Sequence, residues 1–173
     1  MNARTSRKNS TLLDQPDSFG WVSIVAHWLT TIIIIALWFI GRSITEQDSL
    51  EAIDARRSLH VTIALTAWLL LLFRIVWRLR MHHPQAKGQS LLIHRVARTI
   101  HYSMLAGIVL MMISGPVMVL FNSNTVNAFA LLVHRNAALA MLALVLIHLG
   151  GTLKHIIFHE DDTIVRMLWP KKR

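Results

Sequence analysis

Residues 134–148 read HRNAALAMLALVLIH, with a histidine at each end of a stretch whose centre, 137–147, holds only alanine, leucine, methionine, valine and isoleucine. An α-helix turns about 100° and rises about 1.5 Å per residue, so His134 and His148 share one face and lie about 21 Å apart along the axis. An ionisable group in the hydrocarbon core is costly to bury and usually functional. The stretch therefore predicts a membrane helix that carries one imidazole toward each membrane surface.

The composition of the chain is typical of a membrane protein. Its 173 residues are 54% hydrophobic and 16% charged, whereas soluble domains carry about 25% charged residues. The charges are clustered, and the gaps between clusters approach the roughly 20 residues that a helix needs to cross the hydrocarbon core. The gap that starts at residue 58 reaches this length only if Arg74 extends its side chain toward the headgroups. Four spans are predicted, at about residues 19–41, 58–77, 99–121 and 128–158.

Short connections between these spans predict an all-α fold, an integral membrane four-helix bundle with up-down topology. Polar tails are expected at 1–18 and 159–173, flanking a membrane domain over 19–158. The first apolar run is too long for the core of a cleavable signal peptide and no small-residue cleavage pattern follows it. It is therefore expected to remain as the first span.

The distribution of positive charge predicts the orientation of the bundle. If the N-terminus is inside, 14 of the 18 lysines and arginines lie on the inner side and four on the outer side. Such an excess of basic residues is typical of cytoplasmic loops, so both termini are predicted to face the cytoplasm. The same asymmetry accounts for most of the net charge of +9, and no nucleic-acid partner is expected. The four outer arginines are Arg42, Arg56, Arg57 and Arg135.

The ten histidines are the common strong metal ligands of a chain that contains no cysteine. Without cysteine, disulfides, thiolate catalysis and iron–sulfur clusters are excluded. Four of the histidines within the spans match in pairs by depth. His27 lies at about the depth of His148, toward the inner side, and His60 lies at about the depth of His134, toward the outer side.

Two imidazoles at one depth suit the axial positions of a six-coordinate haem iron, a centre suited to one-electron transfer. Haem also carries two anionic propionates that need positive partners. Arg56, Arg57 and Arg135 lie beside the outer pair in sequence, and Arg95, Arg98 or Lys154 could serve the inner pair. A single buried histidine is more often a hydrogen-bonded packing residue, so the prediction depends on the joint pattern of four.

Two further histidines compete for these roles. His101 lies near the inner end of the third span, and His155 follows His148 by seven residues on the same face of the fourth. Either could be a hydrogen-bond partner of a ligand, a propionate partner, or a ligand in place of one of the four.

Several short motifs resemble the bacterial cytochrome b561 family. They are AHWLT at 26–30, SLHVTIA at 58–64, HYSMLAG at 101–107 and IHLGGTLKHIIFHEDDTIVRML at 147–168. The resemblance implies a four-helix inner-membrane bundle that holds two haems b (iron protoporphyrin IX) and passes electrons between a donor and membrane quinone in a respiratory chain. Carried over to this sequence, the axial ligands implied by the family are His27, His60, His134 and His148.

The predicted function is that of a membrane electron-transfer cytochrome with two bis-histidine haems. The donor is not identified by the sequence. The outer arginines suggest an anion such as superoxide, which would make the protein a superoxide:quinone oxidoreductase. One alternative is a haem-binding membrane anchor of a larger dehydrogenase or hydrogenase, and a partner subunit or a homodimer is compatible with the sequence. Another is a small transporter without redox chemistry, in which the histidines line a proton or metal-ion path.

Overall fold

The computed structural model describes residues 12–15, 18–81, 90–159 and 165–170. Four long helices follow one another: α1 (Trp21–Ile44), α2 (Leu50–Arg80), α3 (Leu91–Leu120) and α4 (Asn124–His159); a short α5 (Val165–Leu168) comes after them. Each of the four long helices is long and apolar enough to cross a membrane. The predicted all-α membrane bundle is thereby confirmed, while the side of the membrane that holds the termini stays a prediction.

α2 and α3 begin earlier than the predicted spans because capping serines start them in the polar loops. Ser49 accepts a hydrogen bond from the N–H of Ala52 (3.2 Å), so α2 already includes the arginines at 56 and 57. Ser90 accepts one from the N–H of Ile93 (3.4 Å) at the start of α3. Hydropathy locates the part of a helix that lies in lipid, whereas the cap determines where the helix itself begins.

Large apolar side chains are exposed on the surface of all four long helices. Phe39, Leu69 and Phe129 are each about two-thirds or more exposed, as expected of side chains that face lipid. Small residues are buried where helices approach closely, a common feature of membrane helix packing. These are Ala26, Ala67, Ala130 and Ala137. The large buried side chains form a cluster contributed by α2, α3 and α4, namely Leu71, Ile75, Leu105, Ile108 and Met141.

The four long helices pair as two hairpins. α1 packs along α2, and α3 packs along α4, while the close approaches between α2 and α3 are far fewer. We call the end formed by the start of α1, the end of α2, the start of α3 and the end of α4 the basic end. The other end is called the loop end. A ligand held between the hairpins would join them.

The segment before α1 folds back over the basic end. One carboxylate oxygen of Asp14 accepts the N–H of Gly20 (2.8 Å), and the other accepts the hydroxyl of Ser23 (2.7 Å). Ser23 in turn accepts the indole N–H of Trp77 from α2 (2.8 Å). A Cβ at Gly20 would overlap the backbone of Leu12, so glycine is required for this close approach. The chain of hydrogen bonds ties the N-terminal segment, α1 and α2 together.

The segment after α4 contacts α1 at the same end. The indole N–H of Trp28 donates to the carbonyl of Met167 (2.9 Å). The rings of Trp21 and Trp169 meet edge to face, with their centroids 5.6 Å apart. These contacts join the end of the second hairpin to the first helix of the other.

Candidate functional site

The structure brings His60 of α2 and His134 of α4 together near the loop end, as their depths in the sequence predict. Their ring centroids are 6.2 Å apart and their planes meet at 78°. Two metal–imidazole bonds of about 2 Å, with about 1.15 Å from each nitrogen to its ring centre, separate two opposed imidazoles by about 6.3 Å. The two rings therefore stand at the separation that one metal ion between them requires.

The hydrogen bonds of Ser114 determine the tautomer of His134. The Ser114 hydroxyl donates its single proton to the carbonyl of Leu110 (2.7 Å). Its oxygen also lies 3.0 Å from Nδ1 of His134, and with its proton already used it can only accept there. Nδ1 of His134 is therefore the protonated nitrogen, and Nε2 keeps the free lone pair that a metal ion needs.

Glycines make room for both rings of this pair. A Cβ at Gly41 would lie 3.1 Å from Cε1 and 3.3 Å from Nδ1 of His60, which is closer than side chains normally pack. A Cβ at Gly115 would lie 3.7 Å from Cε1 of His134, in ordinary contact. In the described part of the chain, Nδ1 of His60 is buried without a hydrogen-bond partner. The ring also interacts with the backbone of Leu37, so it is packed against α1.

The second predicted pair lies near the basic end. His27 of α1 and His148 of α4 are close enough to interact electrostatically. The guanidinium of Arg74, on α2, lies 3.3 Å from Nδ1 of His27. Both members of this pair are partly buried, and the pair again joins one helix of each hairpin.

The structure places His101 beside His148. Their ring centroids are 4.9 Å apart, with the planes at 61°. This separation is shorter than the roughly 6.3 Å expected for two imidazoles on opposite sides of one metal ion, so the geometry favours His101 as a neighbour of a ligand. His155 falls within α4, but its side chain lies outside the described residues.

Two arginines near His27 were not predicted as site residues from the sequence. Arg78 is only 6% exposed and lies over the ring of Phe19, 5.5 Å from its centroid. Arg74, one turn further into the membrane, is partly buried. The sequence feature that could have indicated them is an arginine inside an apolar span. For Arg74 this feature was interpreted as a side chain that extends toward the headgroups.

The inner propionate partners considered from sequence lie on the surface. Arg95, Arg98 and Lys154 are exposed, and Arg98 lies over the ring of Tyr102, 5.8 Å from its centroid. Arg74 and Arg78 are the cations that interact electrostatically with His27. They are therefore the better candidates for holding an anionic group at the basic end.

At the loop end the expected cations are exposed and partly neutralised. Arg57 forms an ion pair with Asp54 (3.0 Å), and Arg42 forms one with Glu46 (2.9 Å). Arg56 and Arg135 are exposed on the helices that carry His60 and His134. The formal charges of the four basic residues at this end are cancelled by four acidic ones in the α1–α2 connection and at the start of α2, namely Glu46, Asp48, Glu51 and Asp54.

The donor set suits haem better than a free metal ion. Among the described residues, no three histidine, cysteine or carboxylate side chains converge on one point. A structural or catalytic zinc site uses three or four protein ligands, whereas a haem iron takes four from the porphyrin and needs only two axial ones. The hydroxyl of Thr30, one turn along α1 from His27, is also buried without a partner in this part of the chain. The residues present therefore fit haem held between the hairpins.

A comparison with protein-family models matches residues 18–170 to the family described as prokaryotic cytochrome b561. The match covers all four long helices and both histidine pairs. Among curated proteins, none matches the chain.

Proposed function

The chain belongs to the prokaryotic cytochrome b561 family, a family of membrane b-type haem electron-transfer proteins, and from this premise we propose that it holds two haems b and passes electrons to membrane quinone. Each haem is held between two histidines, one pair being His60 with His134 and the other His27 with His148. Both termini face the cytoplasm, and the bundle lies in the bacterial inner membrane.

The observation that carries the proposal is the 6.2 Å separation of the His60 and His134 rings. In a chain of a b-type cytochrome family, two partly buried imidazoles at this separation are best explained as the two protein ligands of one haem iron. The electronegative partner of His134, the Ser114 oxygen, supports the same interpretation because ligating histidines usually donate their second N–H to an acceptor.

The residues of the chain hold, orient and insulate the cofactor. Haem b supplies one-electron chemistry through its iron. α4 carries one ligand of each pair, His134 and His148, so a single rigid helix sets the spacing of the two sites at about 21 Å along its axis. The apolar faces of the hairpins exclude water from the space between them, which keeps the surroundings of both sites low in dielectric.

Spectroscopy with haem quantification tests this proposal. Purified protein should contain two haems per chain, and its reduced-minus-oxidised spectrum should show the bands of a low-spin b-type cytochrome. Because the His60 and His134 planes are 78° apart, two iron d orbitals remain nearly equal in energy, so the oxidised loop-end haem should give a low-spin EPR signal with an unusually large maximum g value. Colourless protein, or one haem per chain, would contradict the proposal.

Superoxide is one hypothesis for the electron donor. If an anion is attracted by the loop end, replacing Arg56 and Arg135 by glutamine should slow its reaction several-fold at low ionic strength. The difference should vanish at high salt, where surface charges are screened. Stopped-flow reduction by superoxide at two ionic strengths measures this. Equal rates for variant and wild type at low salt would exclude steering by these two charges, in line with the balanced charge of this end.

A further inference from the structure

The two histidine pairs differ in the groups that face their second ring nitrogens. At the loop end, Nδ1 of His134 lies 3.0 Å from the Ser114 oxygen, a neutral acceptor. At the basic end, Nδ1 of His27 lies 3.3 Å from a guanidinium nitrogen of Arg74, which has donors only and carries a fixed positive charge, so Nδ1 accepts here and a neutral His27 carries its proton on Nε2. Iron binding at Nε2 would move this proton to Nδ1 and end the hydrogen bond, while the guanidinium charge would remain at this end of the bundle. The pairs are alike in ligand type and opposite in the electrostatics around them.

Charged groups surround only the pair at the basic end. The electrostatic interactions of His27 include those with Arg74 and Arg78. Asp14 is the carboxylate that interacts with both arginines, and its oxygens already accept hydrogen bonds from Gly20 and Ser23. By contrast, the resolved electrostatic partners of His60 and His134 include no arginine, lysine or carboxylate in the described residues.

Both differences act on a bound iron in the same direction. Reduction adds one electron, so a nearby fixed positive charge stabilises the reduced form and raises the midpoint potential. An acceptor for the ligand N–H makes the imidazole more basic, which stabilises the oxidised form and lowers the potential. Arg74 should raise the potential at the basic end, and Ser114 should lower it at the loop end.

We propose that Arg74 is a positioning residue that sets the direction of electron flow, by giving the basic-end pair His27 and His148 the higher midpoint potential. This inference rests on the proposed function. An electron entering at the loop end would then pass to the basic end with a gain in free energy. The loop-end iron would be oxidised, the basic-end iron would be reduced, and no proton would be required. Arg74 lies beside His27 and is not among the electrostatic partners of His60 or His134, so its charge would act mainly on the basic-end pair.

Redox titration of the haem-loaded protein tests the inference. The wild type should titrate in two one-electron steps. Arg74→Gln should lower the midpoint potential of the upper step by at least about 59 mV, which is a tenfold change in the reduction equilibrium of a one-electron couple. The midpoint potential of the lower step should stay unchanged, with two haems still bound. Arg74→Lys, which keeps the charge, should retain most of the upper potential. Arg80→Gln, an exposed arginine of the same helix end, is the matched control and should move neither step.

A second measurement does not depend on how Arg74→Gln folds. The His60→Ala variant should keep only the basic-end haem and show the upper potential, and His27→Ala should keep only the loop-end haem and show the lower one. The inference would be overturned if the loop-end haem had the higher midpoint potential. It would also be overturned if Arg74→Lys lowered the upper midpoint potential as much as Arg74→Gln does. A wild type with fewer than two haems would instead refute the proposed function, so the two failures are distinguishable.

Discussion

At the scale of single residues, the site depends on which nitrogen of each imidazole carries the proton. Ser114 gives its proton to the Leu110 carbonyl and therefore accepts from Nδ1 of His134. That arrangement prepares Nε2 for iron before any cofactor arrives. A serine hydroxyl in a membrane helix usually bonds to the carbonyl four residues earlier, and here that common bond also sets the role of its oxygen toward the histidine.

Replacing Ser114 by alanine should raise the midpoint potential of the loop-end haem by on the order of tens of millivolts, because the ligand loses its N–H acceptor and becomes less basic. Haem affinity at that site should fall by roughly tenfold or more for the same reason. Redox titration and haem retention in detergent measure both effects. Ser103→Ala, at an exposed serine of the same helix, is the control, and a potential that is unchanged in Ser114→Ala would contradict the assigned tautomer.

Gly41 should be sensitive to any added side chain. A Cβ added at Gly41 would lie 3.1 Å from the His60 ring, whereas a Cβ added at Gly150 would have no neighbour within 4 Å. Gly41→Val should therefore displace the His60 ring and lose the loop-end haem in most of the protein, while Gly150→Val keeps both haems. Haem quantification compares the two variants. Full loading of Gly41→Val would show that this ring has room to move.

At the scale of helices, the sequence predicted the four spans and their order because gaps between charged clusters are long enough to cross a bilayer. It predicted the ends of the helices less well. Hydropathy does not indicate that Ser49 and Ser90, in polar loops, cap α2 and α3. The depth pairing of the four histidines needed only the rise per residue and the antiparallel order of the spans, which is why it could be made from sequence.

The tertiary contacts at the basic end could not be predicted from the sequence. Asp14 lies in a tail that was expected to be separate from the bundle, yet it bonds to Gly20 and Ser23. Arg74 was interpreted as an interfacial arginine, because the default for a long cationic side chain near a helix end is to extend toward water. Both contacts join residues of different segments, and nothing in local periodicity indicates which of several polar groups will meet.

Replacing Asp14 by alanine should loosen the basic end. The backbone N–H of Gly20 and the hydroxyl of Ser23 would each lose an acceptor, at a cost of about 1–2 kcal/mol for a partly buried, charge-assisted pair. We expect the thermal midpoint in detergent to fall by about 2–8 °C. Asp48→Ala, at an exposed carboxylate of the opposite end, should change it little. Equal midpoints for the two variants would show that the N-terminal segment does not stabilise the bundle.

At the scale of the whole molecule, the two hairpins have few close approaches to each other apart from the central cluster and the contacts at the basic end. Each histidine pair takes one histidine from the first hairpin and one from α4. Iron bound to a pair would therefore connect the hairpins at that depth. On the proposed function, the facing surfaces of the two helical hairpins would be completed by the haems bound between them.

The central claim is that His60 with His134 and His27 with His148 each form one site, and haem counts in paired variants test it most directly. Two haems per chain are expected in the wild type and in His94→Ala, a control at a histidine outside both pairs. His60→Ala, His134→Ala and the double variant of these two should each retain one haem, because they disable the same site, whereas His60→Ala combined with His148→Ala should retain none. If the double variant at His60 and His134 retains no haem, or the combination with His148 retains one, the pairing is wrong.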